Sequence, residues 1–115
     1  MTINEYVDFV LKKIVSFYNP EMVYLFGSQA RNEANKNSDI DFLIIKEFEQ
    51  PKRLRALEFR KELRGQNYYP VDLVVYTPQE FEDESQIKGT MAYRIKKEGK
   101  ILYEQRNTVA SPRMV

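Results

Sequence analysis

Apolar residues recur at the three- and four-residue spacing of an α-helix over the first part of the chain. Thr2 and Glu5 precede this pattern in the arrangement of a capping box, and Asn19-Pro20 follows it. The sequence therefore predicts a first helix that extends to about Phe17. Its apolar positions are Ile3, Val7, Val10, Leu11, Ile14 and Tyr18.

Short apolar runs without helical periodicity follow the first helix. Met22 to Phe26, Ile40 to Ile45 and Val71 to Tyr76 are rich in β-branched and aromatic residues and are too short for ordinary helices. The sequence predicts three strands there and a turn that begins at Thr77-Pro78. Ile101 to Tyr103 is expected to form a terminal edge strand.

Two further amphipathic segments carry start and stop signals for helices. Pro51 and Gly65 bracket one of them, and Gly99 closes the other. The polar segment from Gln29 to Ser38 is expected to form a short helical turn that leads into a loop. The apolar positions are Leu54, Leu57, Phe59 and Leu63 in the first segment and Ile87, Met91, Ala92 and Ile95 in the second.

The order of these elements predicts an α/β (α+β) domain, in which helices cover a small sheet. A chain of 115 residues is expected to form one domain. We assign residues 1–105 to this domain and residues 106–115 to a flexible C-terminal tail, because the tail has no apolar period. No secretion signal or long apolar stretch is recognised, so a cytoplasmic location is expected.

Composition restricts the chemistry that the chain can perform. It contains neither cysteine nor histidine, so any catalysis must use carboxylates, hydroxyls, lysine or arginine. The formal charge of +1 gives no general attraction for nucleic acid. Basic residues crowd the second predicted helix and are interpreted as a solvated surface rather than a polyanion site: Lys52, Arg53, Arg55, Arg60, Lys61 and Arg64.

The candidate chemistry begins where the first two predicted strands meet polar residues. Gly27 allows a sharp turn, and Ser28 then offers a hydroxyl and free backbone N–H groups to phosphate oxygens. Asp39 and Asp41 stand two residues apart at the start of a strand, so their side chains point to one face while Ile40 points to the other. Two carboxylates on one face suit a magnesium ion, which prefers hard oxygen ligands.

Asp72 lies inside an otherwise apolar strand, where an ionised carboxylate is costly unless it is paired or coordinated. If the third strand lies beside the second, Asp72 joins Asp39 and Asp41 in a cluster for two metal ions. The alternative is that Asp72 is a charge on an edge strand and discourages aggregation. Arg31 either contacts a phosphate on the Ser28 turn or is a surface charge.

These segments resemble the active-site motifs of the DNA polymerase beta-like nucleotidyltransferases, in their minimal MNT (MntA-type) branch. The motifs are Gly27-Ser28-Gln29-Ala30-Arg31, Ser38-Asp39-Ile40-Asp41-Phe42-Leu43 and Val71-Asp72-Leu73-Val74, and Gly99 to Tyr103 is similar to that branch's closing strand. The resemblance implies a nucleotidyltransferase fold, two Mg²⁺ ions held by the catalytic residues Asp39, Asp41 and Asp72, and ATP as the substrate. Gly27 and Ser28 hold the triphosphate under this reading, and Arg31 and Ser38 complete the nucleotide-binding set.

Members of this branch resemble antitoxins that add AMP to a tyrosine of a HEPN ribonuclease toxin, so a HEPN-type partner and a hetero-oligomer are expected. Asn32 replaces a glycine that is frequent in relatives, and the helical domain of the antibiotic-modifying relatives is missing. Two alternatives stay open. One is a non-catalytic antitoxin that acts by contact, and the other is a transferase for a small molecule or an RNA end.

Overall fold

The computed structural model describes residues 2–27 and 39–105 of the chain. These two ranges contain four helices and four strands, with one 3-10 turn at Lys52–Leu54. None of the helices in these ranges is long and apolar enough to cross a lipid bilayer. The elements are α1 (Ile3–Tyr18), β1 (Met22–Phe26), β2 (Ile40–Ile45), α2 (Leu57–Glu62), β3 (Val71–Tyr76), α3 (Pro78–Glu84), α4 (Met91–Glu98) and β4 (Lys100–Glu104).

The first helix begins and ends at the residues that the sequence indicated. The Thr2 side chain accepts a hydrogen bond from the Glu5 backbone N–H, and the Glu5 carboxylate accepts one from the Thr2 backbone N–H. Asn19 adopts a left-handed conformation with φ of 50° and ends the helix one residue later than expected, at Tyr18. Both helix ends are thus set by local hydrogen bonding.

The four strands form one mixed sheet in the order β3-β2-β1-β4. The central strand β1 runs antiparallel to both β2 and β4. By contrast β2 and β3 run parallel, so they start at the same edge of the sheet. This mixed sheet with its helices confirms the predicted fold class.

Each face of the sheet packs against a different pair of helices. Ile40, Phe42 and Ile44 of β2 lie in a core with buried residues of α1 and α2. Leu43 and Ile45 lie in a second core with residues of α3 and α4. Because side chains alternate along a strand, Asp41 faces the same side as Leu43 and therefore the α3 and α4 side.

The helix predicted after Pro51 is broken into the 3-10 turn and the short α2. Arg55 lies between them and is buried, with only 6% of its surface exposed. Its guanidinium donates to the Gln50 and Val75 carbonyls and makes a bidentate contact with the Glu80 carboxylate. The interpretation of Arg55 as part of a solvated basic surface is therefore wrong, because these bonds satisfy a charge inside the fold.

The region after β3 contains a helix, α3, where the sequence analysis expected only a turn. Thr77 and Glu80 form a capping box around Pro78, so the signals for this helix were present in the sequence. The next helix, α4, begins at Met91 rather than near Ile87. Gly89 adopts φ of +92° just ahead of it, and Ile87 is 58% exposed.

The C-terminal strand β4 pairs with β1 at the sheet edge, as expected, and is longer than predicted at both ends. Gly99 caps α4 just before it, and the Gly99 backbone N–H donates to the Ile95 carbonyl at 2.7 Å. The assignment of residues 106–115 to a flexible tail stays a prediction, because these residues lie outside the described ranges.

Candidate active site

The start of β2 and the start of β3 lie side by side at one edge of the sheet. In the parallel register of these strands, Asp41 is the partner of Asp72. Asp39 immediately precedes β2, and the Ile40 backbone N–H donates to the Pro70 carbonyl at 2.9 Å. That bond fixes the entry of both strands, so the three aspartates are positioned by the sheet itself.

The carboxyl groups of Asp39, Asp41 and Asp72 converge. One oxygen from each can be chosen such that all three lie within 4.8 Å of one another. Asp39 and Asp72 are exposed, whereas Asp41 is half-buried at the base of the cluster. The structure thus brings together the three carboxylates that the sequence placed in separate segments, on the same side of the sheet.

The protein alone does not stabilise three negative charges at this spacing. Burial raises the pKa of Asp41 to about 6, and the nearby carboxylates of Asp72 and Asp39 add to the shift. A hydrogen bond with the Asp72 carboxyl raises the pKa of Asp39 above its ordinary value, with smaller contributions from burial and the Asp72 charge. Like charges in close contact favour protonated forms unless a cation compensates them.

The donor set fits a hard divalent cation. All three groups offer carboxylate oxygens, and their 4.8 Å spread is close to the roughly 4.2 Å between opposite oxygens around one Mg²⁺ ion. Asp39, Asp41 and Asp72 are therefore the residues that would hold such an ion. A bound divalent cation supplies positive charge that neutralises phosphate oxygens.

Gly27 closes the other side of the cluster. It follows β1 directly, where Phe26 is the register partner of Asp41, and its φ is +76°. A Cβ atom built at position 27 would collide with the Asp41 carboxylate oxygen Oδ2 and stand 3.4 Å from its Cγ. Glycine is thus required twice, by the backbone conformation and by the approach of Asp41.

Three other residues named from the sequence, Ser28, Arg31 and Ser38, lie outside the described residues. Their assignment to nucleotide binding stays a prediction. No chemistry was predicted for α4 from the sequence, yet a cavity beside Gly27 is lined by residues of this helix. Nothing in the sequence pattern marked that face, because its single arginine, Arg94, lies among other exposed charged residues.

The fold, the edge cluster and the glycine turn together are those of a nucleotidyltransferase domain. The sequence profile of the family described as nucleotidyltransferase domain matches residues 10–102, so the chain belongs to that family. A search of curated protein sequences found no match.

A solved structure supports the same assignment. The chain is similar to a Sulfolobus solfataricus protein that is provisionally assigned as a nucleotidyltransferase, with 27% sequence identity and a TM-score of 0.55. The similarity covers 85% of this chain and 76% of the Sulfolobus chain. The similarity therefore extends over most of both chains and is not confined to the motifs.

Proposed function

We propose that this protein is a divalent-cation-dependent transferase that moves a nucleoside monophosphate from a nucleoside triphosphate to a hydroxyl group. The convergence of Asp39, Asp41 and Asp72 carries this proposal, because three carboxylates at one sheet edge need cationic compensation. Membership of the nucleotidyltransferase domain family supports the reaction class. Mg²⁺ is the proposed ion and ATP the proposed donor.

The reaction is a displacement at the α-phosphorus of the triphosphate. The acceptor oxygen forms a bond to that phosphorus, the bond to the bridging oxygen breaks, and pyrophosphate leaves. The acceptor's proton passes to a carboxylate, and Asp72 is suited to receive it because its side chain is exposed at the mouth of the cluster. Asp41, at the half-buried base, anchors the cluster.

The proposed acceptor is a tyrosine of a HEPN-type toxin partner, with the present chain acting as the antitoxin. The motifs around Gly27, Asp39 and Asp72 support this, since they resemble the minimal branch of the superfamily. Asp39 and Asp72 are both open to solvent, so a side chain of a second protein can reach them. A partner bound there would bring its own surface to hold the acceptor hydroxyl near the cluster.

Labelling with ATP tests this proposal. Wild-type protein, Mg²⁺ and α-labelled ATP are incubated with the protein encoded by the neighbouring gene, and the label is located by mass spectrometry. We expect AMP on a tyrosine of the partner, and no AMP with the Asp39→Asn/Asp41→Asn double variant. Asp8→Asn, an exposed aspartate of α1, is the matched control and should label normally. Equal labelling by wild type and double variant would falsify the proposal.

A second candidate, neutralisation by contact alone, is favoured by exposed apolar side chains in and after α2. Leu57 is 53% exposed and Tyr68 is 63% exposed, and such residues can pack against a partner. Growth rescue separates the two functions. If the Asp39→Asn/Asp41→Asn variant rescues cells from the partner as well as wild type does, contact is sufficient, and loss of rescue in a folded variant favours catalysis.

A further inference from the structure

A cavity of about 370 Å³ opens between the end of β1 and the α4 helix. Its lining includes Phe26 and Gly27 from β1 and the turn after it. From the other side it is lined by Thr90, Met91, Arg94 and Ile95. Its volume lies within the roughly 300 to 1,000 Å³ range of small-molecule sites in proteins.

The cavity lies beside the acidic cluster, and Gly27 touches both. This residue lines the cavity, and its Cα also abuts the Asp41 carboxylate so closely that no side chain would fit between them. Phe26, another lining residue, is the register partner of Asp41. The cavity and the cluster are therefore neighbours at Gly27, which has no side chain to separate them.

The walls of the cavity suit a flat, weakly polar group. Phe26, Met91 and Ile95 offer apolar surface, and the Met91 side chain is 46% exposed at the opening. Arg94 is exposed at the rim, and within residues 2–27 and 39–105 no carboxylate forms an ion pair with it. An unpaired guanidinium and an apolar wall are surfaces on which nucleobases stack.

We propose that this cavity binds the nucleoside part of the donor triphosphate, with the base against Met91 and Arg94 and the phosphates directed to the acidic cluster. This inference rests on the proposed function, because it assumes a nucleoside triphosphate as the ligand. The proximity of the cavity to the cluster at Gly27 favours the donor over the acceptor, since the donor's nucleoside is bonded to the phosphate that reacts. The site assigns a binding role to α4, a helix outside all the motif segments.

Two ligands that share a triphosphate but differ in the nucleoside test the proposal. The non-hydrolysable ATP analogue with a methylene between the α- and β-phosphorus, and inorganic tripolyphosphate, are titrated calorimetrically into the full chain with Mg²⁺. The variant Met91→Ala/Arg94→Ala removes the two stacking surfaces at exposed positions. Lys97→Ala is the charge-matched control, because Lys97 lies on the same helix with its ammonium 5.7 Å from the centroid of the Tyr93 ring and does not line the cavity.

We expect the double variant to bind the ATP analogue about tenfold more weakly or worse, in line with the loss of base stacking, and to bind tripolyphosphate within about twofold of wild type. Lys97→Ala should change neither affinity. Equal weakening of both ligands would overturn the proposal, because Arg94 would then act on phosphate. Unchanged affinity for the analogue with a raised KM for the acceptor would also overturn it and assign the cavity to the acceptor.

The same titrations distinguish failure of this inference from failure of the transferase function. If wild type binds the analogue and tripolyphosphate equally well, and Asp39→Asn/Asp41→Asn abolishes both, the nucleoside site is wrong while the phosphate site stands. If wild type binds neither ligand, both proposals fail. Photolabelling with 8-azido-ATP gives a second measure: the label should fall on the peptide that contains Met91 and Arg94, and labelling only elsewhere contradicts the proposal.

Discussion

Gly27 and Asp41 are in such close contact that the Asp41 carboxylate oxygen Oδ2 occupies the space of any Cβ atom at position 27. The two residues belong to different segments, one after β1 and one within β2. The antiparallel pairing of Phe26 with Asp41 brings them together. The glycine thus determines where the carboxylate at the base of the acidic cluster can lie.

Gly27→Ala is expected to reduce nucleotide transfer strongly while the protein still folds. The new Cβ displaces the Asp41 carboxylate, and alanine at φ of +76° adds about 1 to 2 kcal/mol of backbone strain. Gly65→Ala separates these two effects, because Gly65 has φ of +81° and nothing lies within 4 Å of its Cβ position. Both variants should lose stability in urea unfolding because of the shared backbone strain, but only Gly27→Ala should lose transfer. Equal activity of the two variants contradicts the contact argument.

Asp41→Asn is expected to stabilise the protein at neutral pH in the absence of divalent cations. The pKa of Asp41 is raised from 3.8 to about 6, so between these pH values the folded state holds a proton that the unfolded state has released. Stability therefore falls as pH rises through this window, and the asparagine variant lacks this component. Thermal unfolding of both proteins in EDTA at pH 5 and pH 7 measures this component of stability, because these pH values lie about one unit below and above the raised pKa.

Adding Mg²⁺ at neutral pH supplies the complementary result for Asp41. Wild type should gain thermal stability because the cation compensates the ionised cluster, whereas Asp41→Asn should gain much less. If the stability of the asparagine variant has the same pH dependence and the same Mg²⁺ response as that of wild type, ionisation of Asp41 does not destabilise the fold.

Asp72→Asn should lower the rate of transfer by about a hundredfold or more, because it removes a carboxylate from the cluster while keeping the shape of the side chain. The control is Asp83→Asn, an exposed aspartate of α3 whose carboxylate accepts a hydrogen bond from Gln79. Initial rates with α-labelled ATP give the comparison. If Asp72→Asn is as active as the control, Asp72 only protects the sheet edge from aggregation.

Glu80→Gln should destabilise the fold by about 1 to 2 kcal/mol, between the values for exposed and buried ion pairs. It breaks the bidentate contact with Arg55, whose side chain is 5% exposed while that of Glu80 is 39% exposed. Glu58→Gln is the control, since its ion pair with Lys61 is exposed on both sides. Urea unfolding should show a smaller loss for Glu58→Gln than for Glu80→Gln, and equal losses contradict the role of the Arg55 pair.

Acid unfolding reports the same ion pair through its titration. The hydrogen bonds from Arg55 lower the pKa of Glu80 from 4.5 to about 2. A lowered carboxyl pKa gives stability that is present above pH 4.5 and is lost as the pH falls toward 2. Wild type should lose more stability than Glu80→Gln between pH 5 and pH 2.5, and parallel curves would rule the pair out as a source of acid sensitivity.

The sequence predicted much of the fold because its signals are local. The capping box of α1 and the short apolar runs of β1, β2 and β3 each depend on neighbouring residues alone. Asp39 and Asp41 were placed on one face by the two-residue period of a strand. Only the parallel pairing of β2 with β3 brought Asp72 to them, and that pairing is not written in any one segment.

The errors at Arg55 and at the α4 cavity arose where distant contacts override local pattern, whereas the missed helix α3 had its capping signals in the sequence. Arg55 has the sequence context of a surface helix, but its carbonyl and carboxylate partners come from the preceding loop, β3 and α3, so the helix breaks around it. The cavity beside α4 was missed for the same reason. Its walls come from segments more than sixty residues apart, and no periodicity in either one records the other.

The most direct test of the central claim is anomalous X-ray diffraction from crystals of the protein grown with Mn²⁺ and tripolyphosphate. Mn²⁺ prefers the same hard oxygen ligands as Mg²⁺ and gives an anomalous signal that locates it. We predict a peak in contact with carboxylate oxygens of Asp39, Asp41 and Asp72 together. Crystals in which the tripolyphosphate is bound but no peak lies among these three carboxylates would contradict the account.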